Sequence, residues 1–107
     1  PQKSIDAYAK ALELDPKNPD VLTDQGVMFR DIGAFDKAIA NFKRASQIDP
    51  RHVQSLYNMG VVYAFDLKDS KRAAEAWNRV IQVAPASSQA AQARKALDEL
   101  KQPPAVR

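Results

Sequence analysis

Residues 19–50 read PDVLTDQGVMFRDIGAFDKAIANFKRASQIDP, and residues 53–85 read VQSLYNMGVVYAFDLKDSKRAAEAWNRVIQVAP. Laid over one another, the two stretches agree. Leu22, Gly26 and Phe29 return 34 residues later as Leu56, Gly60 and Tyr63, and Ala38 and Phe42 return 35 residues later as Ala73 and Trp77. Each stretch closes alike, on Ile48-Asp49-Pro50 and on Val83-Ala84-Pro85, and an earlier segment closes on Leu14-Asp15-Pro16. Self-similarity at this period marks a chain of stacked supersecondary units, each unable to bury its apolar face alone.

Within a unit the apolar spacing is helical. Val21, Leu22, Met28, Phe29 and Ile32 fall on one side of a first helix, and Ala38, Ile39, Phe42 and Ala45 form a stripe on a second. Asn18-Pro19 supplies an N-cap followed by proline at the first helical position, and His52 and Ser87 hold the equivalent places. Gly33 suits a C-terminal cap. Pro50 stops the second helix, because proline has no amide hydrogen and pushes the preceding residue out of helical geometry. The unit from residue 53 is one residue longer, and loops tolerate insertions best, so the extra residue is expected in the Asp66–Lys71 turn.

Glycine in mid-helix costs about 1 kcal/mol relative to alanine. Its recurrence in register at Gly26 and Gly60 therefore predicts a helix crossing too close for a side chain, with Phe42 and Trp77 wedged between neighbouring units. Six helices follow, near residues 2–14, 19–32, 36–48, 53–66, 70–83 and 88–101. The last carries Ala90, Ala93, Ala96, Leu97 and Leu100 on one face and Gln92, Lys95, Asp98 and Glu99 on the other. Such a helix suits the cap that a solenoid needs over its final apolar surface.

Composition agrees with an all-α chain. Of 107 residues, 45% are hydrophobic and 27% charged, with only three glycines. There is no cysteine, so neither a disulfide framework nor a thiolate metal site can form. No apolar run approaches the ~20 residues of a membrane span. The formal charge of +3 is spread among alternating acids and bases, unlike a phosphate-binding stripe. Nothing in the sequence fixes a compartment.

The motifs Leu22-x-x-Gln25-Gly26-x-x-Phe29…Ala38-x-x-x-Phe42-x-x-Ala45…Pro50 and Leu56-x-x-Met59-Gly60-x-x-Tyr63…Ala73-x-x-x-Trp77…Pro85 resemble the tetratricopeptide repeat family. The match covers nearly the whole chain. Gln25, where leucine is usual, and Val80, where a small residue is usual, depart from it. The resemblance implies a right-handed superhelical solenoid of antiparallel helix pairs that acts as a protein-interaction scaffold. On this reading residues 1–101 form one domain: 1–18 the second half of a repeat, 19–52 and 53–87 two repeats, 88–101 the capping helix. Residues 102–107, with Pro103-Pro104, form a disordered tail.

In this family the first helices line a concave groove. The residues expected to face it are Asp20, Thr23, Asp24, Val27 and Arg30, then Gln54, Tyr57, Asn58, Val61 and Phe65, contacting a protein or peptide partner. Some relatives clamp the C-terminal carboxylate of a heat-shock chaperone with lysines, an arginine and asparagines. Asn58 matches one asparagine, but Thr23, Val27, Gln89 and Ala93 stand where the other clamp residues belong, so the cationic donors are missing. A nucleic-acid-binding helical repeat would want a basic groove, whereas Asp20 and Asp24 here outnumber Arg30.

Catalysis is not expected. His52 is the sole histidine and sits at a helix start, a capping position, and no glycine-rich phosphate loop is present. No metal or cofactor site is expected either. The chain begins at Pro1 instead of methionine and reads as a piece of a longer protein. Its residues 2–14 match the second helix of a repeat, and the stripe Ile5, Tyr8, Ala9, Leu12 would lack part of its cover. Self-association through that stripe is the expected consequence.

Overall fold

Asn18 starts the first helix as its side-chain chemistry predicts: Oδ1 accepts from the amides of Asp20 (3.0 Å) and Val21 (3.2 Å). The computed structural model describes residues 18–101. The helix expected over 2–14, its proposed self-association and the tail from 102 lie outside the described residues. The elements are α1 (Pro19–Asp31), α2 (Phe35–Ile48), α3 (Val53–Val61, continuing into a π-helical turn Val62–Asp66), α4 (Ser70–Val83) and α5 (Ser88–Lys101). No strand occurs among the described residues.

The caps explain where each helix begins. His52 Nδ1 accepts from the Ser55 amide, Asp69 Oδ1 from the Arg72 amide at 3.1 Å, and Ser87 Oγ from the Ala90 amide at 3.0 Å. Gly33, at φ +81°, turns the chain out of α1, and the Ala34 amide then donates to the Phe29 carbonyl at 2.8 Å. Ile32, placed on the buried side by its spacing, is 44% exposed, because α1 has already ended at Asp31.

The helices form two layers. α1, α3 and α5 lie side by side in one, and α2 and α4 pack across them in the other, each against its sequence neighbours. Phe42, Trp77, Val62 and Val80 are fully buried in a shared core with Leu56, Met59, Tyr63 and Leu97. A Cβ on Gly26 would lie 2.5 Å from Phe42 Cε1, and one on Gly60 would overlap the Trp77 indole. The close crossings are real. The contact they accommodate is between the aromatic and the glycine of its own helix pair, a refinement of the expected wedge between units. Trp77 Nε1 also donates to the Tyr57 carbonyl at 3.2 Å, so its buried N–H is satisfied.

The extra residue of the longer unit is not in the loop. Both three-residue turns, Ile32-Gly33-Ala34 and Leu67-Lys68-Asp69, have the same length, and Lys68 (φ +56°) holds the left-handed place of Gly33. The helix itself takes up the residue. The Leu67 amide reaches five residues back to the Val62 carbonyl (2.9 Å), and the Asp69 amide donates to Tyr63 O (2.7 Å), enclosing one residue more than Ala34 to Phe29. A π turn adds a residue without losing the bonding ladder, which a loop insertion would not have needed.

Gln25, the departure from leucine, is only 8% exposed, and its Oε1 accepts from Asn41 Nδ2 at 2.7 Å. The neighbouring helix therefore supplies the partner that a buried amide requires.

The candidate partner-binding groove

The layer of α1, α3 and α5 is concave. Thr23, Asp24, Val27, Gln54, Tyr57, Asn58, Gln89 and Gln92 surround a hollow of about 380 Å³. An adjoining hollow of about 310 Å³ shares Tyr57 and Gln92 and adds Phe65, Lys95, Ala96 and Glu99. Seven of the ten residues expected to face the groove thus come together along it: Thr23, Asp24, Val27, Gln54, Tyr57, Asn58 and Phe65. Thr23 forms floor, since it is 3% exposed and its hydroxyl donates to the Pro19 carbonyl at 2.8 Å.

The other three are engaged elsewhere. Arg30 binds Asp66 through both Nε (2.5 Å) and Nη2 (3.4 Å), tying the end of α1 to the π turn of α3. Val61 is half-buried against the core and lines neither hollow. Asp20 accepts from His52 Nε2 at 2.7 Å.

Sequence reasoning reached Gln89 only as a clamp position without its cation and missed Gln92, Lys95, Ala96 and Glu99, because α5 reads as a cap and not as a groove helix. The signal was present: adding the repeat period of 35 to Gln54, Tyr57 and Val61 gives Gln89, Gln92 and Ala96.

Four carboxamides, Gln54, Asn58, Gln89 and Gln92, converge on the larger hollow. Each both donates and accepts, so together they can pair with either face of an extended peptide backbone. The charges along the two hollows are Asp24 and Glu99 against Lys95. Asp24 makes no ion pair among the described residues.

His52 lies between Asp20 and Ser55, with Nδ1 3.0 Å from Ser55 Oγ, which places the three residue types of a catalytic triad in contact. The chemistry is that of a cap. Ser55 has no exposure, its hydroxyl donates to the His52 carbonyl at 2.9 Å, and His52 Nδ1 is occupied by the Ser55 amide. A nucleophile needs an open face and a free base, and this serine has neither. Among the described residues no group of three His, Cys, Asp or Glu side chains is placed to hold a metal ion, and no helix is long and apolar enough to cross a membrane.

Comparison with known proteins places this geometry. The family model described as TPR repeat matches residues 26–64, and that described as Tetratricopeptide repeat matches residues 54–87. The chain is 33% identical over 84 residues to small glutamine-rich tetratricopeptide repeat-containing protein 2 of Mycosarcoma maydis, covering 78% of this chain and 24% of that protein. It spans about a quarter of the length of the first curated relatives it matches. Among solved structures it is similar to the Sgt2 TPR domain from Aspergillus fumigatus, at 26% identity and a TM-score of 0.79, over 96% of this chain and 74% of that one. The first TPR of Spaghetti (RPAP3), bound to the HSP90 peptide SRMEEVD, has the same fold, with a TM-score of 0.79 at 22% identity over 92% and 75% of the two chains. Two registered copies of one helix pair, with two overlapping family models that together match residues 26–87, make the assignment plain: the chain belongs to the tetratricopeptide repeat family.

Proposed function

We propose that this tetratricopeptide repeat scaffold, a protein-interaction module, takes a segment of its partner into the concave groove between α1, α3 and α5. The observation that supports the reading is the convergence of Gln54, Asn58, Gln89 and Gln92 beside the half-buried Tyr57 and the exposed Phe65. Amides satisfy a peptide backbone, and uncovered aromatics supply the apolar area that fixes it. A carboxylate clamp is disfavoured here. The HSP90 peptide held by the Spaghetti domain is acidic, while this groove carries two carboxylates and a single lysine. The same carboxylates oppose a phosphate backbone, so retention on immobilised RNA should be weak and should not change steeply with salt.

The test compares proteins retained by the immobilised domain with those retained by two variants. Asn58→Ala, Gln92→Ala and Phe65→Ala combined should lower retention at least about tenfold, since a few central residues carry most of an interface. All three are at least partly exposed, so the melting temperature should move by only a few degrees. Lys43→Glu, on the opposite layer, should leave retention unchanged. Equal loss from Lys43→Glu would move the binding surface to the outer cleft that Lys43 lines with Arg72 and Arg79.

A further inference from the structure

We infer that the groove selects a segment bearing one large apolar side chain, seated against Tyr57, Phe65 and Ala96, with a cationic residue nearby that reaches Asp24; this rests on the groove being the binding surface.

The π turn builds the apolar seat. Up to Tyr63 the second repeat keeps the spacing of the first, and from Leu67 onward it is displaced by one residue. Without that displacement the position held by Arg30 in the first repeat would fall to Ala64, and Phe65 would stand in the register of the exposed Asp31. With it, Phe65 lines the hollow beside Tyr57. A phenyl ring 55% exposed keeps its apolar area in water unless a partner covers it. The small Ala96 leaves room opposite, and Lys95 and Glu99 form a polar rim. An aromatic-lined recess with a polar rim is the usual seat of an anchor side chain.

Charge complementarity names the second feature. Arg30, which could have faced the groove as a cation, is neutralised by Asp66 at 2.5 Å. Asp24 is exposed and lines the larger hollow, which shares Tyr57 and Gln92 with the apolar seat. The groove is thus net negative on a chain whose formal charge is +3. Such a site favours lysine or arginine in its ligand and repels a carboxylate.

The probes are acetylated, amidated decapeptides of serine, glycine and alanine carrying one Phe and one Lys, at separations of two to six residues in either order. Each is titrated into the full chain by amide-resolved NMR. In the preferred spacing, replacing the peptide's Phe by Ala should weaken binding about tenfold or more, and replacing Lys by Glu roughly three- to fivefold. Phe65→Ala should erase the preference for Phe and keep that for Lys, and Asp24→Lys should invert the charge preference. Indifference of the wild type to either replacement, or an unchanged Phe preference in Phe65→Ala, would overturn the inference. So would the absence of any binding below ~1 mM. Shifts at Gln54, Asn58 and Gln92 without either preference would sink this inference alone. Shifts at Lys43 and Arg79 would sink the groove reading with it.

Discussion

Gly60 has no side chain because the Trp77 indole occupies the space that a Cβ would need. Alanine there would gain helix propensity of about 1 kcal/mol but would force a 1%-exposed ring out of its seat, and overpacking costs about 1–3 kcal/mol. Gly60→Ala should therefore destabilise the domain in urea titration, and pairing Gly26→Ala with Phe42→Leu should recover part of the loss seen with Gly26→Ala alone. Lys68 is the reverse case, an L-residue at φ +56° with its side chain in solvent. Lys68→Gly should stabilise by roughly 0.5–1 kcal/mol, visible as a melting temperature raised by a few degrees. Asn41→Ala leaves Gln25 buried without its 2.7 Å donor and should cost about 1–2 kcal/mol. Adding Gln25→Leu removes the stranded amide, so the double variant should be more stable than Asn41→Ala alone. The packing residues were legible because they recur in register. The Gln25–Asn41 bond was not, since a pair that occurs once has no repeat to reveal it.

At the scale of elements, spacing and caps placed the five described helices within a residue or two of their ends. Asn18, His52 and Ser87 start α1, α3 and α5 as their side-chain acceptors require. What the spacing could not show was the place of the extra residue. Counting from Gly26 to Ala38 and from Gly60 to Ala73 reveals an insertion of one, but a loop and a π turn satisfy that count equally. The hydrogen bonds decide it, with Leu67 N–H on Val62 O and Asp66 held by Arg30. Deleting Leu67 should convert the π turn to α-helix, leave the far-ultraviolet circular dichroism nearly unchanged and withdraw Phe65 from the groove into the register of Asp31. A collapse of helical signal on that deletion would mean that the π turn is required for folding.

Across the whole molecule, stacking makes one surface from helices that are distant in sequence. Residues 23–27, 54–65 and 89–99 meet in a single groove because α1, α3 and α5 occupy the same layer of successive units. The first two segments were legible from the repeat. The third was obscured because an amphipathic helix at the end of a solenoid reads as cover, although its exposed face continues the groove. The same stacking separates the inner layer from α2 and α4, whose exposed residues, such as Lys43, face away from it. That separation makes the central claim directly measurable. Phe65→p-benzoylphenylalanine places a photo-reactive ring in the groove with little change of shape, and Lys43→p-benzoylphenylalanine places it on the outer layer. Irradiated in cell extract, the first should form defined protein adducts that excess unlabelled domain suppresses, and the second should form none of them. The same adducts arising from position 43 and not from position 65 would contradict the groove as the binding surface.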